Sequence, residues 1–342
     1  MKKNDLSIEV NYENPSDPDV WNKLAEQNGN LVQSTHYDKI QAYYNHKPIY
    51  FEVKREDSLI GGVKLYYWAS RKISFITKPL SQRLTQLGEA IIDGNSNIDQ
   101  ILPFLFEEVR AFVKSSRVAS VTISGIYGDK QKLITLSNLN VKSNSFNIAS
   151  IDLTIAEEEL WSNIHVKHRN AINNASKNNL VFIREDNIDA FLRLLHQTYS
   201  SQHKSAPNVE YIKHTYNELK DRNLVDLFFV KNGSDYLSGA LNERFGNFAT
   251  YTFAGNEKNN LGSGNFLQWE IMKTYKQLGI SKYILGQVAP QKDPGNLKFS
   301  EGISRFKRRF GTTEVSTHSQ TYILNKLYFK VWKATTSLMT KK

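Results

Sequence analysis

The feature that most constrains this chain is an echo within it. Residues 49–68, IYFEVKREDSLIGGVKLYYW, read as two strands joined by a polar turn, being rich in β-branched and aromatic residues. Residues 226–245, DLFFVKNGSDYLSGALNERF, read the same way, with Asn232-Gly233 supplying a tight hairpin turn. Gly62 follows Val53 at the spacing with which Gly239 follows Val230 (62 − 53 and 239 − 230). A further β-rich segment succeeds each hairpin, RKISFITK at 71–78 and NFATYTFAG at 247–255. Stretches of helical period come next, at 97–116 and 264–279; in the second, Phe266, Ile271, Tyr275 and Leu278 recur on one face and Gly279 fits a helix stop. Short apolar strands close each copy, at 118–125 and 281–286. Hairpins are common enough to echo by chance, but a shared order of strand–strand–strand–helix–strand points to duplication. The expected class is mixed α/β: two tandem domains, each a mixed central sheet flanked by helices.

Between the copies lie helical additions. Residues 157–177 open acidic and end basic, as the helix dipole favours, and are expected to form one helix. Residues 187–203 and 208–221 read as two more helices, separated by Pro207. The division is drawn at 1–148, with 317–342 packing back on it, and 149–316. No linker-like tract separates the halves, so a ligand is expected near their junction.

A length of 342 residues allows a core in each domain. No run of 18 apolar residues is present and MKKNDLSIEV lacks an apolar h-region, so a cytoplasmic location is expected. Zero cysteines exclude disulfides, thiolate zinc sites and cysteine nucleophiles. The eight histidines (36, 46, 165, 168, 196, 203, 214, 318) contain no HExxH, and they read as surface or helix-face residues. Neither a G-x-S-x-G elbow nor a P-loop occurs. The net charge of +10 favours an anionic partner such as phosphate, RNA or an acidic membrane surface, although lysine-rich base composition alone produces the same balance.

Two stretches carry candidate chemistry. In NNLGSGNFLQW (259–269), the glycines would let backbone N–H groups approach a phosphate at a helix start; a plain turn into the helix has the same appearance. In GISRFKRRFG (302–311), four cations are interleaved with Phe306 and Phe310. Such a run is a solvated face, a nucleic-acid contact or part of a site, and local sequence does not separate these readings.

Four segments in order resemble the Fem family of aminoacyl and peptidyl-bridge transferases and the related FemAB-like acyltransferases. They are LVQSTHYDKIQAYY (31–44), with Gln33, Tyr37 and Lys39; HVKHRNAINNASKNN (165–179); NVEYIKHTY (208–216) with the strand 247–255; and YILGQVAPQKDPGNLKFSEGISRFKRRFG (283–311). The last is the most specific, through its Gly-Ile-x-x-Phe-Lys-x-x-Phe-Gly ending. Gly262-x-Gly264 is similar to the end of the pyrophosphate loop of GCN5-related N-acyltransferases (GNAT), with Asn259 at its first position. The chain departs from the Fem pattern at Ile284, where the family often has Asp, and at Pro207, where muropeptide-binding members carry Arg; His203 and Lys204 stand nearby.

The resemblance implies two tandem GNAT folds and attack of an amine on an activated acyl ester or thioester. By it, Lys307 contacts the acyl donor or steadies the developing negative charge, and Phe306 shapes the pocket. Lys39 and Tyr37, with Tyr211, Tyr251 and Lys204, would bind the acceptor. Gly262, Ser263, Gly264, Lys167 and Arg169 would meet the donor. Arg305, Arg308 and Arg309 remain ordinary cations, and no general base is assigned. Each candidate has a structural alternative: an exposed helix lysine at Lys39, core aromatics at Tyr211 and Tyr251, a solvated face at Lys167 and Arg169. The resemblance implies no permanently bound cofactor and no metal, only aminoacyl-tRNA or acyl-CoA as co-substrate. Its partners would be a cell-envelope precursor (a muropeptide or a nucleotide- or lipid-linked amino sugar) and tRNA, with a peripheral place at the inner membrane. A coenzyme A-dependent acyltransferase acting on an amino sugar, and a non-catalytic RNA- or membrane-binding protein, are the alternatives.

Overall fold

The computed structural model describes residues 6–69, 81–126, 130–137, 139–289 and 297–339 of the 342. The chain divides into two compact units, Met1–Ser145 with Ser316–Lys342, and Phe146–Val315. In chain order the first part contains β1 (Leu6–Tyr12), α1 (Pro18–Asn28), α2 (Thr35–Ala42), β2 (Lys47–Arg55), β3 (Ser58–Trp68), β4 (Arg83–Leu87), β5 (Ile91–Ile92), α3 (Ile98–Ser115) and β6 (Ser120–Ser124). There follow β7 (Asn140–Asp152), α4 (Glu157–Asn163), α5 (Val166–Lys177), β8 (Val181–Arg184), α6 (Ile188–Ser200), α7 (Val209–Lys220) and β9 (Val225–Asn232). The last are β10 (Asp235–Phe245), β11 (Phe248–Asn256), α8 (Ser263–Gln277), β12 (Lys282–Val288), α9 (Leu297–Arg308), β13 (Thr313–Ile323) and α10 (Lys326–Met339).

In the first unit the strands run β1-β2-β3-β4-β6-β13, with β5 also on β3. Pairing is antiparallel except between β4 and β6, which α3 connects as a parallel crossover. The second unit orders its strands β7-β12-β11-β10-β9-β8, with β11 and β12 parallel and α8 between them in sequence. Hairpin, third strand, helix and parallel fourth strand therefore recur, as β2-β3-β4-α3-β6 and β9-β10-β11-α8-β12. The segment 71–78, expected as the third strand of the first copy, lies outside the described residues; β4 holds that position. Leu65, Leu105, Val109 and Ile123 are among the buried core of the first unit, and Phe228, Leu267, Ile271 and Tyr283 among that of the second. Each such side chain contributes roughly 1.5–3 kcal/mol on burial.

The expected helix 157–177 is two. It breaks at Ile164 and His165, where the His165 side chain caps α5 by accepting from the Lys167 N–H at 3.1 Å. The His165 N–H meanwhile donates to the Arg309 carbonyl at 2.8 Å, a long-range bond that periodicity cannot register. The strands β1, β7, β8 and β13 were not anticipated. GISRFKRRFG is mostly helix: α9 ends at Arg308, and Gly311, at φ +74, lies where a Cβ would meet Asn163 Cβ at 2.7 Å. Among the described residues no helix is long and apolar enough to cross a membrane, and no three His, Cys, Asp or Glu side chains are grouped to hold a metal ion.

Candidate active site

A cavity of about 620 Å³ in the second unit gathers residues from four stretches of chain. The end of α6 and the turn after it supply Thr198, Tyr199 and Lys204; β11 supplies Tyr251 to Ala254; the start of α8 supplies Gly262, Ser263 and Gly264; α9 supplies Ile303, Phe306 and Lys307. All of them belong to the second unit. This size suits a small organic ligand or the reactive end of a larger one.

Helical spacing explains which part of the basic run reaches the cavity. Ile303, Phe306 and Lys307 stand at i, i+3 and i+4 and share a face of α9. That face is set by buried neighbours. Ser304, 2% exposed, accepts from the Ala289 N–H at 2.9 Å, and Phe310 is 1% exposed in the core. Lys307 Nζ donates to the Gln287 carbonyl at 3.0 Å, and burial pushes its pKa down to about 8. Arg308 turns elsewhere: its Nε binds Glu314 at 2.5 Å and its NH2 the Ala289 carbonyl at 2.6 Å, an internal brace rather than a ligand contact. Arg305 is exposed, and Arg309 does not line the cavity.

His168 supports Phe306 from behind. Its ring centroid lies 5.2 Å from that of Phe306 and 4.6 Å from that of Phe310. Expected at the surface or on a helix face, it is buried, because α5 turns this one position of its basic stretch inward. Burial, aided by the charges of Arg309 and His165, pushes its pKa down to about 4, so the ring is neutral near pH 7.

The opening of α8 forms another wall. Gly262, at φ +80, is the N-cap and contributes no side-chain cap. A Cβ on it would lie 2.3 Å from the Ala171 carbonyl of α5, so glycine alone fits. Ser263 is buried: its hydroxyl accepts from Ser238 Oγ at 2.7 Å and from Asn259 Nδ2 at 3.0 Å. These bonds hold the first turn, whose backbone N–H groups carry the positive end of the helix dipole beside the cavity.

Tyr251 connects the cavity to a buried polar network. Burial raises its pKa, with the Gln268 side chain opposing. Behind it, Asn242 Nδ2 donates to the Tyr283 hydroxyl at 3.2 Å, which donates to Gln268 Oε1 at 3.1 Å. Sequence reasoning missed a second group here. Glu243 has its pKa pushed up to about 7 by burial, partly opposed by the hydroxyl of Thr252, itself a cavity residue. The carboxylate lining the cavity is Glu257. A strand alternation pattern could have placed these side chains on a face, but not beside a cavity whose other walls come from α6 and α9.

The remaining candidates are elsewhere. Arg169 closes the end of α4, donating to the Ser162 carbonyl at 2.9 Å, and Lys167 lies at the start of α5; neither lines the cavity. Tyr211 is in the first turn of α7 and is not a lining residue. In the first unit, Gln33 is buried and structural: its carbonyl accepts from Trp21 Nε1 at 2.7 Å and its Oε1 from the Asn30 N–H at 2.8 Å. Exposed Lys39 borders a separate cavity of about 510 Å³, while half-buried Tyr37 does not. Its neighbour Asp38 accepts from Lys64 Nζ at 2.6 Å and from the Tyr66 hydroxyl at 2.5 Å.

Chemically, the second-unit cavity offers a half-buried ammonium, a helix N-terminus, a tyrosine and an aromatic wall. Such a set can hold an acyl carbonyl and stabilise negative charge developing on its oxygen. The architecture, two units each built of a mixed sheet and helices, has a FemX-like fold. The solved structures similar to it include FemX, at 16% identity and a TM-score of 0.75, covering 94% of this chain and 99% of that one. Another is L-PGS from Bacillus licheniformis, at 12% identity and a TM-score of 0.55, covering 92% of this chain and 94% of that one. A third is a conserved protein of unknown function from Bacteroides thetaiotaomicron, at 7% identity and a TM-score of 0.57, covering 92% and 100%. No protein-family model and no curated protein matches the chain.

Proposed function

We propose that the chain is an N-acyltransferase that takes an aminoacyl group from aminoacyl-tRNA and adds it to an amine of a cell-wall peptidoglycan precursor. The observation that carries this reading is the convergence of Lys307, Phe306, Tyr251, Lys204 and the first turn of α8 on one cavity. The FemX-like fold, the Fem-like motif order and the net charge of +10 support it. In the reaction, a neutral amine attacks the ester carbonyl, a C–N bond forms, and the C–O bond to the tRNA ribose breaks. The proton released by the amine ends on the departing hydroxyl oxygen, so the transfer balances without a further reactant. Lys307 steadies the carbonyl oxygen as it gains charge, and Phe306 and Tyr251 orient the acyl group.

A second reading, transfer from an acyl-CoA thioester to an amino sugar of a surface polysaccharide, is favoured by Gly262-Ser263-Gly264 at the α8 N-terminus. Charged tRNA and radiolabelled acetyl-CoA, each titrated against the protein, separate the two. Saturable binding of charged tRNA, weakened by Lys307→Ala, is expected. Saturable binding of acetyl-CoA with none of tRNA moves the assignment to the second reading, and binding of neither overturns both.

A further inference from the structure

The start of α10 lies against two cavities of the first unit. One, of about 680 Å³, is lined by Lys142 and Val141 of β7 and by Phe329 and three lysines of α10, Lys326, Lys330 and Lys333. The other, of about 560 Å³, has Arg110, Lys114 and Arg117 in its lining, with Tyr328 of α10. No Asp or Glu lines either cavity among the described residues, and α10 itself contains none. Lys326, Lys330 and Lys333 are spaced i, i+4 and i+7, which aligns them along one helix face. The Phe329 ring lies between cations, 5.2 Å from Lys142 Nζ and 5.8 Å from the Arg83 guanidinium, which ties the helix start to the sheet.

Apolar side chains stand exposed beside this positive face. Leu327, 66% exposed, is the most exposed large hydrophobic among the described residues, and Val141 is 44% exposed. Cations alone would suit RNA as well as lipid. Bare aliphatic side chains flanking a lysine row suit the boundary between headgroups and acyl chains, where leucine enters and lysines reach phosphates.

We infer that α10, with Lys142 and Val141, is a docking surface for an anionic phospholipid membrane. It is separate from the cavity read as the active site and stands whether or not that reading holds. Three lysines meet lipid phosphates and Leu327 inserts at the interface, giving peripheral and salt-sensitive attachment.

The test is co-sedimentation of the full chain with phosphatidylcholine vesicles, with and without phosphatidylglycerol. Binding is expected only when phosphatidylglycerol is present, and it should fall as salt is raised. Each lysine near such a surface is worth about fivefold in affinity, so Lys326→Glu, Lys330→Glu and Lys333→Glu together should weaken binding by on the order of a hundredfold or more. Leu327→Ser should weaken it several-fold with the salt dependence unchanged, which a purely electrostatic contact would not show. Lys23→Glu, an exposed lysine of α1 off this surface, should leave binding intact. Equal binding to both vesicle types, or undiminished binding by the triple variant, overturns the proposal. So does loss of tRNA binding in the triple variant when the parent binds no vesicle.

Discussion

Lys307 Nζ donates a 3.0 Å hydrogen bond to the main-chain carbonyl of Gln287. The bond joins α9 to β12 across a bend where Gly286, at φ +83, would bring a Cβ to 3.5 Å from the same nitrogen. An ammonium positioned by one neutral acceptor keeps two N–H directions for another group. Among the described residues no carboxylate is bonded to it, and burial lowers its pKa.

The cations of one run should therefore separate by role. Lys307→Ala should lower kcat/KM by about 10²–10³, the effect of removing one donor from a developing oxyanion, with little change in Tm. Arg309→Ala should cost less than about threefold. Arg308→Ala should instead lower stability by on the order of 1 kcal/mol through loss of its bonds to Glu314 and Ala289, with kcat/KM retained in the folded fraction. Steady-state rates and melting curves on the three variants read these outcomes; equal, mild losses in all three would mean the run is only surface.

The pH profile tests the protonated form of Lys307. With its pKa near 8, the side chain is mostly charged at pH 7 and loses the proton above pH 8. Activity that depends on the ammonium is present below that value and falls as pH rises through it. The kcat/KM profile should show a falling limb near pH 8, missing from the residual activity of Lys307→Met. For stability the sign is opposite. The folded pKa lies below the unfolded value, so the burdened charged form is fully present below about pH 8 and is relieved as pH rises. Lys307→Met should raise Tm more at pH 7 than at pH 10.

Glu243 behaves as a buried acid, with its pKa raised to about 7. The folded chain holds this proton more tightly than the unfolded chain, so its contribution is full below the ordinary carboxylate range and lost as pH rises through 7. Glu243→Gln should stabilise the protein above pH 7 by on the order of 1 kcal/mol, discounted for partial exposure, and alter it little at pH 4. Melting at the two pH values decides the matter; equal shifts at both would show that burial does not act on this carboxyl.

Gly262→Ala places a methyl group against the Ala171 carbonyl in a backbone region that disfavours side chains. A loss of about 2 kcal/mol or more is expected, since two separate strains combine. The start of α8 should shift with it, weakening donor binding more than Gly233→Ala does. Gly233 shares a positive φ, but a Cβ there meets nothing within 4 Å.

Much of the frame was legible from residue order. Both hairpins, α3, α6, α7, α8 and the short strands after α3 and α8 stand within a few residues of where alternation, helical period and turn chemistry set them. Helix 157–177 was misread because its break is made by His165, whose N–H reaches Arg309 far along the chain. His168 was misread because its neighbours Lys167 and Arg169 suggested a solvated face, whereas Phe306 and Phe310 claim one position of that helix for the core. Glu243 carried no local signal, since a raised carboxyl pKa comes from surroundings assembled by distant segments.

What residue order by itself determined is local. It set the duplicated strand and helix pattern and the glycine at the start of α8. These depend on backbone conformations and short periodicities that neighbouring residues encode. Tertiary structure decided which cation of GISRFKRRFG faces the cavity and which fastens Glu314. It also decided that residues near 200, 251, 263 and 306 share one cavity. Those outcomes rest on the rotational phase of α9, fixed when Ser304 and Phe310 are buried against β12 and α5, and side-chain phase between separate elements is set by packing, not by local propensity.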